Sequence, residues 1–241
     1  MTRPEVRPPS AERVAELADR LAAVRERIEL ATRAARRADQ VGLVAVTKFF
    51  PASDVLALAD LGVHDLGENR HQEAQDKAAA LAGRDLRWHF IGGLQSNKAA
   101  AVAGYAAVVE SVDRAKLVAP LDRGAVEHGR RVDVLLQVSL DPPGRDQRAG
   151  AAAEDLPALA ERVAAASALR LRGLMAVAPL DEDPAAAFDR LAAIRERFLV
   201  DHPAAGVLSA GMSGDLEQAI AAGATHVRVG SAVLGSRPVL K

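Results

Sequence analysis

Apolar and polar residues follow one another along this chain in blocks of two kinds. Short runs of apolar, strand-forming residues recur through the sequence, and alanine-rich stretches with helical spacing lie between most of them. Strands that alternate with helices pair in parallel, and near-continuous apolar runs indicate strands covered on both faces. The pattern predicts strands at 41–48, 64–68, 87–92, 106–112, 132–140, 171–178, 206–209 and 226–230. It predicts helices at 53–61, 70–82, 114–128, 154–166, 184–199 and 214–222.

About eight strands in 241 residues favour an α/β fold with a single closed (β/α)8 TIM barrel, which typically takes about 250 residues. A doubly wound open sheet is the alternative. An extra N-terminal helix precedes the first strand, because Ser10 is a suitable N-cap for a helix that reaches to about residue 38. Residues 1–9, with three prolines and mixed charge, are expected to form a flexible tail, and 10–241 one barrel domain. The apolar face of the extra helix consists of Val14, Leu17, Leu21, Val24 and Ile28.

Composition narrows the class of function. The chain has 31 basic and 32 acidic residues and 3% aromatic residues, which argues against nucleic-acid and membrane surfaces. It has no cysteine, so thiol chemistry is excluded, and its six histidines lack the HxH and HExxH spacings of metal sites. Because the sequence shows neither an apolar leader nor an apolar run of membrane-spanning length, we expect a cytoplasmic protein. A monomer is expected.

Lysine is scarce in this chain, which makes the lysine after the first predicted strand informative. Of the 31 basic residues only five are lysines, and of those only Lys48 lies at the carboxyl end of a strand. In a barrel, function resides at that end of the strands. An amine desolvated there favours its neutral form, which can attack an aldehyde and form a Schiff base. The alternative is an ordinary lysine that extends its ammonium group into water.

The next two strands supply further polar groups. Asn69 follows the second strand in LGEN and is expected beside Lys48, where its amide could bond a phenolic oxygen or a ring substituent. The alternative is an asparagine that only forms the turn. In the third strand, RWHFIG, His89 alternates with apolar neighbours and is expected to face the barrel interior. We favour a core histidine with both ring nitrogens hydrogen-bonded over a metal ligand.

The last two strands end in turns that suit a phosphate group. After the seventh strand, Gly211 permits an unusual backbone turn, and Ser213 is a good N-cap for the helix that follows. The eighth strand ends at Gly230 and Ser231. Backbone amides after strands seven and eight form a recurrent phosphate site in barrels. Two acidic residues follow Ser213 in the same helical turn, so a purely structural cap is the alternative.

Arg228 is the remaining candidate, and it lies two residues before Gly230 on the same side of the eighth strand. A guanidinium inside a barrel needs a partner, because an unpaired buried charge is costly. A pyridine nitrogen is one candidate partner. A salt bridge to an acidic side chain such as Glu68 is the alternative.

The chain resembles the pyridoxal phosphate homeostasis proteins, the YggS/PROSC family, in six segments taken together: AVTK, LGEN, WHFIGGLQSNK, LRGLMAV, LSAGMSGDLEQAIAAG and VRVGSAVLGSRP. The likeness extends from about residue 10 to Pro238. It implies a single barrel that carries pyridoxal 5'-phosphate (PLP), with Lys48 as the lysine that forms the Schiff base. It further implies that Asn69 lies near the ring and that Arg228 faces the pyridine nitrogen. The phosphate site implied by the resemblance consists of Ser213, Gly230 and Ser231.

The chain departs from the family pattern at a few places. Ala210 stands where methionine is frequent, Gly93 where proline is common, and TKFFP replaces the frequent SKTKP. The loop at 141–150 keeps Gly150 but has arginine and alanine before it. We expect this loop, which follows the fifth strand, to be long and mobile, and its role stays open. None of the departures replaces Lys48 itself.

The expected function follows from the resemblance and from the candidate site. An arginine at the pyridine nitrogen favours the unprotonated ring, which is a poor electron sink. The racemases that share this barrel add a second β domain with a catalytic tyrosine, and we expect no such domain here. The resemblance therefore favours a non-enzymatic protein that holds, buffers or delivers PLP, with PLP-dependent apoenzymes as candidate recipients. The alternatives are a low-activity PLP-dependent amino-acid racemase or lyase that uses Lys48 with water or His89, and a purely structural barrel.

Overall fold

The computed structural model describes residues 6–142 and 149–236, and within them eight parallel strands close into a barrel in sequence order. Pairing of the first and last strands closes the ring, with Val44 opposite Arg228. The predicted (β/α)8 barrel is confirmed, and the open-sheet alternative is wrong. The strands are β1 (Gly42–Val46), β2 (Asp65–Glu68), β3 (Arg87–Phe90), β4 (Val108–Val112), β5 (Val132–Val138), β6 (Leu169–Ala176), β7 (Val207–Ser209) and β8 (His226–Val229).

The described part of the chain also contains nine α-helices, most of which cover the outside of the barrel. They are α1 (Ala11–Ala34), α2 (Ala52–Asp60), α3 (His71–Ala80), α4 (Ala99–Ala103), α5 (Val118–Glu127), α6 (Leu156–Ala164), α7 (Pro184–Asp201), α8 (Leu216–Ala221) and α9 (Ser231–Leu234). The apolar pattern does not predict α4 and α9, because helices of five and four residues are too short to show a 3.6-residue period. Short 3-10 turns lead into α5 and α6, so both helices begin later than predicted.

The extra helix α1 begins where the sequence predicts it. The Ser10 hydroxyl oxygen accepts a hydrogen bond from the Arg13 backbone N–H at 3.2 Å. The helix ends at Ala34 rather than near residue 38, because Arg36 adopts a φ of 54°. Arg37 then donates to two backbone carbonyl groups at and beyond the end of α8, which anchors the chain before it enters β1. The buried face of α1 consists of Leu17, Leu21, Val24 and Ile28.

Strand β6 begins at Leu169, earlier than its apolar run indicates. The Arg170 side chain lies within the strand and donates to Asp133 Oδ1 on β5 at 2.7 Å. This paired charge extends the strand beyond the apolar residues. A prediction that relies on apolar runs cannot detect such an extension.

Apolar residues fill the layer between the strands and the helices. One cluster packs α1 and α2 against β1, β2 and β8, and a larger cluster lies beneath α4, α5, α6 and α7. The interior of the barrel is different, because several of its buried side chains are polar. They include His89, Glu110, Ser209 and Arg228. Within the described ranges, no helix has the length and apolar character needed to cross a bilayer.

Two predicted flexible segments are only partly described. Residues 1–5 of the predicted tail and 143–148 of the predicted loop lie outside the described residues. Val6 packs against the cluster beneath α1. At the far end of the loop, Gln137 Nε2 donates to the Ala149 carbonyl oxygen at 2.7 Å, and Ala151 pairs with Val138. The chain therefore returns alongside the end of β5.

Glycine is required where β6 approaches β7. Gly173 has a φ of 151°, and a Cβ atom there would lie 1.9 Å from the Val207 carbonyl oxygen. We expect Gly173→Ala to lower the free energy of unfolding by about 3 kcal/mol or more, because the two strands must separate. Gly206→Ala is the matched control, since no atom lies within 4 Å of its Cβ position. Urea unfolding measures both variants, and equal stabilities would contradict this account.

Candidate functional site

All six residues predicted to form the site line one cavity at the carboxyl ends of the strands. The cavity has a volume of about 410 Å³. Its polar lining includes Lys48, Asn69, Ser213, Arg228, Gly230 and Ser231. Its apolar lining includes Val46, Phe50, Ile91, Met175 and Val177. A larger cavity of about 560 Å³ lies between α1 and the amino ends of β1 and β2, and none of the six residues lines it.

The charge of the cavity lining is positive. Lys48 is half-buried and Arg228 is 4% exposed. Among the described residues that line the cavity, none carries a carboxylate. Two cationic side chains and two hydroxyl groups in the lining suit an anionic ligand, and Glu110, which compensates the charge of Arg228, lies outside the lining.

The turn that carries Lys48 is held on both sides by α3. Phe49 has a φ of 72°, which is uncommon for a residue other than glycine. Its backbone N–H donates to Glu73 Oε1 at 2.5 Å. On the other side of Lys48, Lys77 Nζ donates to the Thr47 carbonyl oxygen at 2.8 Å and to Glu73 Oε1 at 2.7 Å. The backbone on both sides of Lys48 is therefore held by the Lys77–Glu73 ion pair, which the sequence pattern does not reveal.

Glu68 joins this ion pair from β2. Its Oε1 accepts hydrogen bonds from Lys77 Nζ and Thr47 Oγ1, both at 2.6 Å. Burial raises the pKa of Glu68, and the charge of Lys77 opposes that rise. The sequence-based alternative that Glu68 pairs with Arg228 is wrong, because Glu68 faces the helix layer and Arg228 faces the barrel interior.

Arg228 reaches the cavity from β8, and its hydrogen bonds hold it from inside the barrel. Nη1 donates to Ser209 Oγ at 2.8 Å, and Nη2 donates to the Ala176 carbonyl oxygen at 2.9 Å. The nearest carboxylate is that of Glu110, 3.9 Å from Nη1. Burial lowers the pKa of Arg228, and the negative charges of Glu110 and Asp215 oppose this. The guanidinium thus has a fixed orientation in the cavity wall.

Asn69 owes its position to a glycine that follows β3. A Cβ atom at Gly92 would lie 2.1 Å from the Asn69 carbonyl oxygen, so the two backbones approach as closely as they do only because Gly92 has no side chain. The GG pair in WHFIGG is the sequence signal for this approach, although it does not reveal the partner. Asn69 and Lys48 consequently share the cavity lining.

Ser213 lines the cavity but does not cap α8, so that part of the prediction is wrong. Asp215 occupies the N-cap position, and its Oδ1 accepts a hydrogen bond from the Met212 backbone N–H at 2.5 Å. Ser213 Oγ instead accepts from the Ser231 hydroxyl at 3.3 Å and from the Ala232 backbone N–H at 3.4 Å. The turns after β7 and β8 therefore meet at this serine pair.

The predicted turn at Gly211 is confirmed by its φ of 88°. A Cβ atom at this position would lie 2.6 Å from Ala219 Cβ, so α8 packs directly on the turn. From the other side, Arg27 of α1 donates to the Ser213 carbonyl oxygen at 3.1 Å and to Glu217 Oε1 at 2.8 Å. The extra helix therefore supports the same turn that contributes Ser213 to the cavity.

His89 faces the barrel interior and is fully hydrogen-bonded, as predicted. Its Nδ1 lies 2.7 Å from Glu110 Oε1 and its Nε2 lies 2.8 Å from Asp65 Oδ1. Burial by itself lowers the pKa of His89, but the hydrogen bonds and the negative charges of Asp65 and Glu110 together outweigh burial and raise the pKa to about 8. In the described part of the chain, no group of three His, Cys, Asp or Glu side chains is arranged to hold a metal ion.

The barrel is of the class found in the N-terminal domain of alanine racemases. The chain matches the family model described as "Alanine racemase, N-terminal domain" over residues 20–238. It is 43% identical over 247 residues to a Mycobacterium tuberculosis protein named pyridoxal phosphate homeostasis protein, covering 94% of this chain and 95% of the relative. A Pseudomonas aeruginosa protein of the same name is 44% identical over 222 residues, covering 92% and 96%.

A solved structure agrees with these relatives. PipY of Synechococcus elongatus, whose structure was determined with PLP bound, is similar with a TM-score of 0.79 and 36% identity. The similarity covers 91% of this chain and 100% of PipY. The chain belongs to the pyridoxal phosphate homeostasis protein family, and the resemblance drawn from its motifs is confirmed.

The ion pair behind Lys48 can be tested on α3. We expect Glu73→Gln to lower the free energy of unfolding by about 2 kcal/mol, because Lys77 and the Phe49 N–H lose a charged acceptor. Asp76→Asn removes an exposed carboxylate from the same helix and is expected to change stability by less than about 0.5 kcal/mol. Chemical denaturation at neutral pH compares the two variants. A Glu73→Gln protein as stable as Asp76→Asn would show that the ion pair does not hold the turn.

The raised pKa of His89 makes stability depend on pH. A group whose pKa is higher in the folded state stabilises fully below its unfolded pKa, and this stabilisation is lost as the pH rises through the folded pKa. With values of 6.5 unfolded and about 8 folded, the wild type should lose about 2 kcal/mol relative to His89→Gln between pH 6 and 9. Urea titrations across this range measure the difference. A difference that does not vary with pH would refute the assignment.

Proposed function

We propose that this protein binds PLP in the cavity at the carboxyl ends of the strands and holds it as a Schiff base on Lys48. The observation that carries the proposal is the convergence of Lys48, Arg228, Ser213 and Ser231 on one cavity of about 410 Å³. PLP combines an aldehyde, a phenolic oxygen and a phosphate on a pyridine ring. An amine, a guanidinium and a hydroxyl-lined pair of turns match those groups. The PLP-bound structure of PipY supports the same assignment.

The predicted residues are assigned to different groups of PLP. Lys48 Nζ would hold PLP at its aldehyde carbon through a carbon–nitrogen double bond, whose formation would release one water molecule. Asn69, which shares the cavity lining with Lys48, is assigned to the phenolic oxygen. The phosphate is assigned to the turns after β7 and β8, which meet where the Ser231 hydroxyl donates to Ser213 Oγ at 3.3 Å. The residues of that phosphate site are Ser213, Gly230 and Ser231.

Arg228 is assigned to the ring nitrogen, which supports a binding role over a catalytic one. A guanidinium donates hydrogen bonds and does not accept them, so it favours an unprotonated ring nitrogen and a weak electron sink. Among the described residues of the cavity lining, Lys48 is the sole candidate proton acceptor apart from hydroxyl groups. His89, the other base considered from the sequence, is engaged by Asp65 and Glu110.

These features support a protein that holds, buffers or delivers PLP, with PLP-dependent apoenzymes as the recipients. The names of the Mycobacterium tuberculosis and Pseudomonas aeruginosa relatives support the same role. A racemase or lyase would need a second acid or base next to Lys48, and the described lining supplies none. We therefore propose a protein without catalytic residues.

The assignment of Lys48 is tested by absorption spectroscopy with PLP. The wild type is expected to show the band of a protonated imine, and Lys48→Ala is expected to lose it, because no other lysine lines the described cavity. Lys98→Ala removes an exposed lysine and is the matched control, which should keep the band. A band that survives Lys48→Ala, or that disappears in Lys98→Ala, would contradict the assignment.

A further inference from the structure

A continuous chain of polar side chains, all buried except the partly exposed Asp65, crosses the barrel interior and ends at the PLP cavity. Asp65 Oδ1 lies 2.8 Å from His89 Nε2, and His89 Nδ1 lies 2.7 Å from Glu110 Oε1. Ser209 Oγ donates to Glu110 Oε2 at 2.6 Å and accepts from Arg228 Nη1 at 2.8 Å. Three of the connecting residues, His89, Glu110 and Ser209, are at most 5% exposed. We call Asp65, His89, Glu110 and Ser209 the relay.

With Asp65 and Glu110 ionised, the hydrogen-bond geometry assigns the protons of the relay. Both ring nitrogens of His89 face carboxylate oxygens, which accept hydrogen bonds when ionised, so His89 must carry two protons to satisfy them. Ser209 has a single hydroxyl proton, which it gives to Glu110, and its oxygen remains to accept from Arg228. Negative and positive charges therefore alternate from Asp65 to Arg228. Such alternation reduces the cost of burying each charge.

The pKa shifts agree with this charge pattern. Burial raises the pKa of Glu110, but the hydrogen bonds from His89 and Ser209 and the positive charges of His89 and Arg228 together outweigh burial and hold that pKa below its ordinary value. Asp65 likewise has a lowered pKa: burial raises it, but the hydrogen bond from His89 and the positive charges of His89 and Arg87 together outweigh burial. His89 itself has its pKa raised to about 8. The proton on His89 is therefore the one that leaves first as the pH rises above neutrality.

His89 lies towards the opposite end of the barrel from the PLP cavity. A small cavity of about 110 Å³ contains it, at the amino ends of the strands. The other titratable or charged residues of this cavity are Arg87, Glu110, Asp133, Arg172 and His226. Arg87 Nη1 lies 3.3 Å from Asp65 Oδ1, and Asp133 is engaged by Arg170 at 2.7 Å. Burial lowers the pKa of His226, so His226 does not compete with His89 for the proton.

We propose that the relay positions the Arg228 guanidinium and balances its charge, so that the proton held by His89 adjusts the electrostatic potential at the bound ring. The relay members are positioning residues, because none of them lines the PLP cavity. This proposal rests on the proposed function for its ligand. The chain of contacts on which it stands is present in the protein without ligand.

The relay predicts shifts of opposite sign when charges of opposite sign are removed. His89→Gln removes a positive charge, makes the potential at the cavity more negative, and should raise the pH midpoint of the Lys48-dependent absorption band by about half a unit or more. Glu110→Gln removes the negative charge nearest Arg228 and should lower that midpoint. Asp133→Asn, which removes a carboxylate of the same small cavity outside the relay, should leave the midpoint near the wild-type value. Loss of packing alone does not produce opposite shifts.

The closing experiment combines these spectra with imidazole NMR of the PLP-free wild type. The NMR titration should give His89 a midpoint of about 8, and this measurement requires no variant to fold. A midpoint at or below 6.5, or variant spectra that shift in one direction only, would overturn the relay. If the wild type shows no Lys48-dependent band, the proposed function fails and the coupling to the ring fails with it. A normal band with midpoints unchanged in both relay variants overturns the relay alone.

Discussion

The buried guanidinium of Arg228 is the constraint around which the barrel interior is arranged. A cation that is 4% exposed is costly unless it is paired and hydrogen-bonded. The Ser209 hydroxyl and the Ala176 carbonyl group satisfy two of its nitrogens, and the Glu110 carboxylate supplies the compensating charge. Glu110 in turn requires a partner, which His89 provides. The polar interior follows from placing one arginine where it can face a ligand.

The cavity above this arginine is preformed by backbone contacts rather than by side chains alone. Lys77 and Glu73 bond to the main chain on either side of Lys48, so the lysine is presented from a fixed turn. Across the cavity, Ser213 joins the turns after β7 and β8, and the extra helix supports it through Arg27. Because these contacts exist without ligand, little conformational entropy remains to be lost when a ligand binds.

The sequence was sufficient to predict the fold and six residues of the cavity lining, and the reasons are physical. Parallel strands covered on both faces are apolar runs that can be counted, and Lys48 and Arg228 are charged residues at strand positions where charges are rare. The supporting contacts were not predictable. Glu73 and Lys77 have the i, i+4 spacing of an exposed helical pair, and their burial depends on how α3 packs. Glu110 lies on a distant strand, so its pairing with Arg228 appears only once the barrel closes.

Borohydride reduction of the PLP-loaded protein, followed by mass spectrometry of its tryptic peptides, tests the central claim most directly. Reduction converts the carbon–nitrogen double bond into a stable secondary amine and so records which lysine carried the ligand. The account predicts that the label lies on Lys48. A label on Lys77, Lys98 or Lys116, or bound PLP that leaves the Lys48 peptide unmodified, would contradict it.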